Sequence, residues 1–192
     1  MRAMILAAGL GTRMRPLSAL RPKPVLPVLG IPLIAWPLAW LARHGVREVV
    51  INLHHLPDAT RAAAEAWAPA GLGLRFSEEP ELLDTGGGIR RAAAFLRESD
   101  PSLVVSGDMI CDLDLTAFVA RHRGMARRFD LGGETRAGLN ASVYLFAARA
   151  FEDLPDREAF NHLFDWIAPA LAGGAEDVHG DVFAPEAMVW EP

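Results

Sequence analysis

Along the chain, short, almost wholly apolar runs alternate with longer segments whose apolar residues recur at helical spacing. Ala3–Ala8 is apolar nearly throughout, the pattern of a strand buried on both faces. Glu48–Asn52, Leu72–Ser77 and Leu103–Ser106 read the same way, and Ser142–Phe146 alternates as a strand does. Between them lie helix patterns. Pro32 can open a helix at its first position, with Leu33, Trp36, Trp40 and Leu41 in phase, Pro37 kinking or delaying it and Gly45 stopping it. Pro57–Trp67 is Ala-rich and helical by propensity. Gly88–Arg97, entered through a turn at Asp84–Gly87, Leu115–Arg123 and Phe160–Leu171 complete the set. Gly9–Pro24, rich in Gly, Pro and Arg, reads as a loop, and Gly124–Gly138 has little periodicity.

Strand alternating with helix predicts an α/β fold: a Rossmann-like mixed, mainly parallel sheet with helices on both faces. Ligands of such sheets bind outside the carboxyl ends of the strands. The chemically suggestive residues fall there, in the loop after the first strand and at Gly107-Asp108 after the fourth. A length of 192 residues with no internal repeat or Pro/Gly/Ser linker predicts a single domain, 1–192.

Composition narrows the function. Hydrophobic residues at 51% and charged residues at 22% fit a globular domain. No apolar stretch has the length or continuity of a membrane span. The one cysteine, Cys111, forms no internal disulfide and suits a reducing compartment. No signal-peptide pattern precedes the first strand, so a cytoplasmic protein with no membrane partner is expected. The net charge of −5 hides a split: residues 1–47 carry seven Arg or Lys and no acid, and the remaining 145 carry 12 basic and 24 acidic groups. That polarity points to an anionic ligand near the N-terminal segment. The basic residues sit among Gly and Pro rather than along a helix stripe, which argues against nucleic acid.

The loop itself reads LAAGLGTRMRPLSALRPKPVLPV. Gly9-Leu10-Gly11 follows a strand, where glycines let backbone N–H groups approach phosphate. It is no dinucleotide fingerprint, since Met14 stands where a third glycine would fall, and the chain has no Gly-Lys-Ser/Thr of a P-loop. Around it stand Thr12, Arg13, Arg15 and Lys23, the last being the only lysine in the chain, set between Pro22 and Pro24. A chain that otherwise uses Arg keeps one compact ammonium here.

GLGTRMRP followed by PKP resembles the signature of sugar-1-phosphate nucleotidyltransferases, the NDP-sugar pyrophosphorylases. Ile31-Pro32-Leu33-Ile34, Thr85-Gly86-Gly87, Val105-Ser106-Gly107-Asp108 and Leu139-Asn140-Ala141-Ser142-Val143-Tyr144 resemble further family motifs, with Ser142 where Gly is usual. The short length and the Asp-Thr-Gly-Gly-Gly run look most like N-acetylmuramate-1-phosphate uridylyltransferases and related mannose-1-phosphate guanylyltransferases. The resemblance implies the nucleotide-diphospho-sugar transferase type of fold, with 1–123 as the nucleotide-binding part and 124–192 as a shortened sugar-binding part. It implies Mg²⁺-dependent attack of a sugar-1-phosphate on a nucleoside triphosphate, giving NDP-sugar and pyrophosphate. On that template Ala8, Gly9, Gly11 and Thr12 contact the nucleotide, Arg13 and Lys23 hold its phosphates and stabilise the transition state, and Gly86 and Gly87 admit the base. Glu134 and Asn140 face the sugar, and Asp108 ligates Mg²⁺.

The second metal carboxylate of the family has two partial echoes, Asp181-Val182-Phe183-Ala184-Pro185-Glu186 and Trp190-Glu191-Pro192; Asp181 is the residue taken as second ligand. Two rival readings stand: a non-catalytic sugar-nucleotide-binding regulator, and a nucleotidyltransferase with a non-sugar acceptor. Other features have plainer readings. Adjacent His54 and His55 point apart on an extended segment and suit a structural role. Trp36, Trp40, Trp67 and Trp166 read as core, Cys111 as a small buried residue, and Asp112 and Asp114 as rivals of Asp108 for helix capping.

Overall fold

A computed structural model describes residues 1–124, 129–134, 140–183 and 189–190; at 129–134, 140–141, 181–183 and 189–190 the backbone alone is described. Seven strands form one sheet: β1 (Arg2–Leu6), β4 (Glu48–Leu53), β5 (Gly73–Glu78), β6 (Ser102–Ser106), β8 (Phe129–Glu134), β9 (Asn140–Phe146) and β10 (Val178–Phe183). Their order is β10-β8-β9-β6-β1-β4-β5. β1 pairs parallel with β4 and β6, β4 with β5, and β8 with β10, and β9 runs antiparallel to both its neighbours. The expected mixed, mainly parallel sheet is therefore present, and it runs unbroken through both parts of the chain. Two small ribbons flank it, β2 (Pro27–Val28) with β3 (Ile31–Pro32), and β7 (Ile110–Cys111) with β11 (Val189–Trp190).

Side-chain alternation makes two cores from one sheet. Ala3, Ile5, Val49, Ile51, Leu103 and Val105 face α2 (Ala35–Arg43), α3 (Pro57–Trp67) and α5 (Leu115–Gly124). Met4, Val50, Val104, Tyr144 and Phe146 face α4 (Asp84–Leu96) and the C-terminal helical segment, a π-helical turn at Leu163–Ile167 continuing into a short helix at Ala168–Ala172. This is why the central strands are apolar on both faces along their middle positions.

The structure corrects four expectations. Pro32 does not open a helix: it pairs with Pro27 in a ribbon, and Leu33 and Ile34 donate backbone bonds to Leu26 and Pro24. The helix starts at Ala35 and holds Pro37 in its first turn, where the missing N–H costs nothing. Asp84–Gly87 is not an entry turn but the first turn of α4 itself. Trp67 ends its helix 45% exposed, whereas Trp40 and Trp166 are buried as expected. The loop Gly9–Pro24 contains short helical turns at Thr12–Met14 and Leu17–Leu20 (α1), with another at Lys23–Val25 across its end.

Candidate functional site

At the carboxyl ends of β1, β4 and β6 lies a cavity of about 520 Å³. Ala8, Gly9, Gly11, Thr12, Arg13, Lys23 and Asp108 all line it, although the sequence scatters them over a hundred positions. Arg15, also in the loop, is not among the lining residues, which separates it from Arg13. Gly11 has φ 60°, in the left-handed region, and a Cβ there would come within 3.2 Å of Lys23 Cβ and Ser18 Cβ. The glycine thus folds the loop onto the lysine. A Cβ on Gly9 would meet nothing within 4 Å. Its bare backbone faces open cavity, which suits close approach of a ligand.

Lys23 Nζ is ion-paired with Asp108 Oδ2, and Ser106 Oγ donates to Asp108 Oδ1. Both partners are mostly shielded, with side-chain exposures of 13% and 19%. The rival role for Asp108 is taken by Asp114, which accepts from Ala117 N–H at 3.0 Å and caps α5. The strand-end carboxylate is therefore left facing the cavity.

A buried polar network that the sequence does not announce braces these loops. Asn52 Oδ1 accepts from Ala7 N–H at 2.7 Å, and Asn52 Nδ2 donates to Glu79 Oε1 at 2.8 Å. Glu79 Oε2 accepts from Leu83 N–H at 3.2 Å. One amide and one carboxylate, 2% and 3% exposed, tie the ends of β1, β4 and β5 to the start of α4. His54 contacts the Glu79 carbonyl through Nδ1 at 2.8 Å, and His55 the Ser18 carbonyl through Nε2 at 2.8 Å. The two histidines are tethers, as their spacing suggests. Burial pushes the Cys111 thiol up to about 11, which keeps it protonated and a poor nucleophile.

The opposite wall comes from Asp84, Thr85, Ser142, Tyr144 and His162. Ser142 has φ 53°, the conformation that favours the glycine usual at this motif position. Gly86 and Gly87 are not on the wall. A Cβ on Gly86 would fall 2.2 Å from the Phe160 ring, and one on Gly87 2.3 Å from the Glu158 carbonyl. These glycines admit the chain's own segment 158–160 against α4, a correction to the expectation that they admit a base.

Glu134 and Asn140 have side chains outside the described residues. Their backbones lie at the cavity end of the sheet, since Asn140 pairs with Gly133 and β9 runs antiparallel to β6. Asp181 is not brought to Asp108. It sits on the edge strand β10, opposite Gly132 and three strands from β6. At 4.7–4.9 Å per strand that is a lateral separation of about 14 Å, too far for two Asp side chains to share one Mg²⁺ held at about 2.1 Å. The other echo lies closer: Trp190 pairs with Ile110, two positions beyond Asp108. Among the described residues no cluster of three His, Cys, Asp or Glu forms that could hold a metal. One carboxylate beside a hydroxyl fits Mg²⁺ only when substrate phosphates supply the remaining oxygens.

Residues 2–133 match the sequence model of the Nucleotidyl transferase family, and the chain belongs to that family. It is 46% identical over 118 residues to N-acetylmuramate alpha-1-phosphate uridylyltransferase of Neisseria meningitidis serogroup B, covering 61% of this chain and 51% of that protein. It is 35% identical over 121 residues to mannose-1-phosphate guanylyltransferase of Mycobacterium tuberculosis, covering 63% of this chain and 33% of that protein. The matches thus span between a third and about half of these relatives' length. The crystal structure of HddC from Yersinia pseudotuberculosis complexed with GMP-PN superposes with a TM-score of 0.80 at 21% identity, over 99% of this chain and 92% of that one. A putative glucose-1-phosphate thymidylyltransferase from Bacillus anthracis superposes at 0.79 with 16% identity, over 100% of this chain and 89% of that one. At those identities the likeness establishes the fold, which is the expected one. No described helix is long and apolar enough to cross a membrane.

Proposed function

We propose that this chain transfers a nucleotidyl group from a nucleoside triphosphate to a sugar-1-phosphate. The observation that carries the reading is the convergence of the Gly9–Arg13 loop, Lys23 and Asp108 on one cavity. A phosphate oxygen of the sugar-1-phosphate attacks the α-phosphorus and forms the new P–O bond. The bond from the α-phosphorus to the α,β-bridging oxygen breaks, and pyrophosphate leaves with the electron pair. Little covalent work falls to the protein, so positioning and charge neutralisation dominate.

In this role the backbone at Gly9 and Gly11, the Thr12 hydroxyl and Arg13 hold the β- and γ-phosphates. Lys23 exchanges Asp108 for the α-phosphate, where its point charge offsets the charge of the transition state. The freed Asp108 carboxylate, steadied by Ser106, would hold Mg²⁺ together with substrate oxygens. Mg²⁺ there supplies further positive charge to the phosphates. Glu134 and Asn140 stay assigned to the sugar on the strength of their place at the cavity end of the sheet.

The separation of Asp181 from Asp108 favours one alternative, a regulator that binds nucleotide without turnover. A matrix of four triphosphates against glucose, mannose and N-acetylmuramate 1-phosphates, read by pyrophosphate release beside equilibrium nucleotide binding, separates the two. UTP and GTP come first, as the donors implied by the names of the relatives above. Release with at least one pair supports transfer; tight nucleotide binding with no release from any pair supports the regulator.

A further inference from the structure

His162 lines the cavity yet is only 5% exposed, and its ring is held on two sides. It meets the Tyr144 ring edge-on, with centroids 4.6 Å apart. Its Nδ1 lies 2.7 Å from Thr85 Oγ1, and its backbone N–H donates to the same oxygen at 3.3 Å. The other ring nitrogen, Nε2, is buried and has no hydrogen-bond partner among the described residues. A buried polar nitrogen left without a partner is costly, and folded proteins rarely keep one without a use.

The threonine determines what Nε2 offers. Thr85 Oγ1 accepts the His162 amide and, with its second lone pair or its own proton, either accepts from Nδ1–H or donates to Nδ1, according to the ring tautomer. Where the Thr85 hydroxyl donates to Nδ1, the proton of the neutral ring sits on Nε2 and makes it a donor. The ring stays neutral because burial pushes its pKa down to about 4, against a smaller opposing pull from Asp84. A neutral, buried donor suits an uncharged oxygen better than a phosphate, whose desolvation it could not offset.

We propose that His162 Nε2–H is a recognition donor of this cleft, taking an uncharged acceptor oxygen of the substrate, either a nucleobase carbonyl or a sugar hydroxyl. This rests on the cleft being the substrate site proposed above. In this role the Thr85 hydroxyl donates to Nδ1, and the edge-on Tyr144 ring holds the ring plane. The contact would seat the part of the substrate away from the phosphates, and so choose between substrates rather than drive the bond exchange.

The test has two arms. Long-range ¹H–¹⁵N NMR of the ligand-free chain should show His162 as the Nε2–H tautomer, and its Nε2 resonance should move when one of the four triphosphates or one of the three sugar-1-phosphates named above is added. An Nδ1–H tautomer, or no movement with any of them, overturns the proposal. In turnover, His162→Phe keeps the ring and removes the donor. It should raise KM roughly tenfold for one substrate alone, with kcat changed less, and His162→Gln should recover part of the loss. A rise for the triphosphate identifies a base carbonyl, and a rise for the sugar-1-phosphate a sugar hydroxyl. Unchanged KM values in a folded His162→Phe overturn the proposal. If that variant does not fold, the NMR arm on the wild-type chain decides. If no pair turns over, the transferase reading fails, and the NMR arm still decides the role of His162.

Discussion

The two walls of the cleft are built in opposite ways. One is made of strand-end loops, Gly9–Lys23 and Ser106–Asp108, where bare backbone, a hydroxyl and opposite charges face the cavity. The other, made of Thr85, Ser142, Tyr144 and His162, is an outgrowth of the core: Tyr144 belongs to the apolar cluster under α4, and His162 is clamped between a ring and a helix. The first wall suits any triphosphate, because phosphate chemistry is common to all of them. The second carries a ring and hydroxyls packed against the core, the kind of surface that can discriminate between substrates. The family model matches residues 2–133, which hold the whole of the first wall and only Thr85 of these four residues of the second.

Breaking the first wall should have the largest effect. Lys23→Ala and Asp108→Asn should each lower kcat by about 10²–10³, as loss of one transition-state donor does, in chains that still unfold cooperatively in urea, at a midpoint lowered by the charge left unmatched. Lys23→Arg should restore only part, because a fork replaces a point charge. Near-normal turnover in either of the first two variants would remove the ion pair from the chemistry.

The second wall should show itself in stability. His162 is held well below its usual value, to about 4, by burial. Above pH 6.5 the ring is neutral in both folded and unfolded chains, and its contribution is fully present. As pH falls from 6.5 towards 4 the unfolded chain takes up the proton and the folded one does not, so stability falls, by up to ~3 kcal/mol. Urea unfolding across that range should give a flatter profile for His162→Phe than for wild type; parallel profiles would contradict the buried neutral ring.

Two glycines sharpen the contrast between the walls. Gly86→Ala drives a methyl into the Phe160 ring and should cost about 1–3 kcal/mol of stability. Gly9→Ala meets no protein atom, so it should leave stability unchanged and weaken triphosphate binding. Similar thermal shifts for the two would mean that the first loop is packed rather than open. The smallest effect is expected at the sheet edge. Asp181→Asn should leave Mg²⁺-dependent turnover unchanged, because its strand keeps it from Asp108. A loss as severe as that of Asp108→Asn would place the second ligand there after all.

The difference between the walls also explains what could be read from the chain. The phosphate loop is legible because backbone geometry dictates residue type. Gly11 needs a positive φ, and a lone lysine between prolines stands out in an arginine-using sequence. The central strands are legible because they are apolar on both faces. His162 and Asn52 left no local pattern: each acts through partners distant in sequence, Thr85 for one, Ala7 and Glu79 for the other. The Asn52 network could have been suspected from an amide ending an apolar strand and an acid just past the next. Gly86 and Gly87 are ambiguous in the sequence because a glycine that admits a ligand and one that admits a helix neighbour look alike there. β8 and β10 carry no strand pattern in the sequence because Gly132-Gly133 and Gly180 interrupt the alternation that marks a strand.

The central claim is that triphosphate enters the loop wall and releases Lys23 from Asp108. A crystal structure of the chain with a non-hydrolysable nucleoside triphosphate and Mg²⁺ tests it most directly. The account predicts phosphates on the backbone of residues 9–13, Lys23 Nζ on the α-phosphate, and the Asp108 carboxylate turned to the metal. A triphosphate bound outside this cleft, or one bound within it beside an intact Lys23–Asp108 pair, would contradict it.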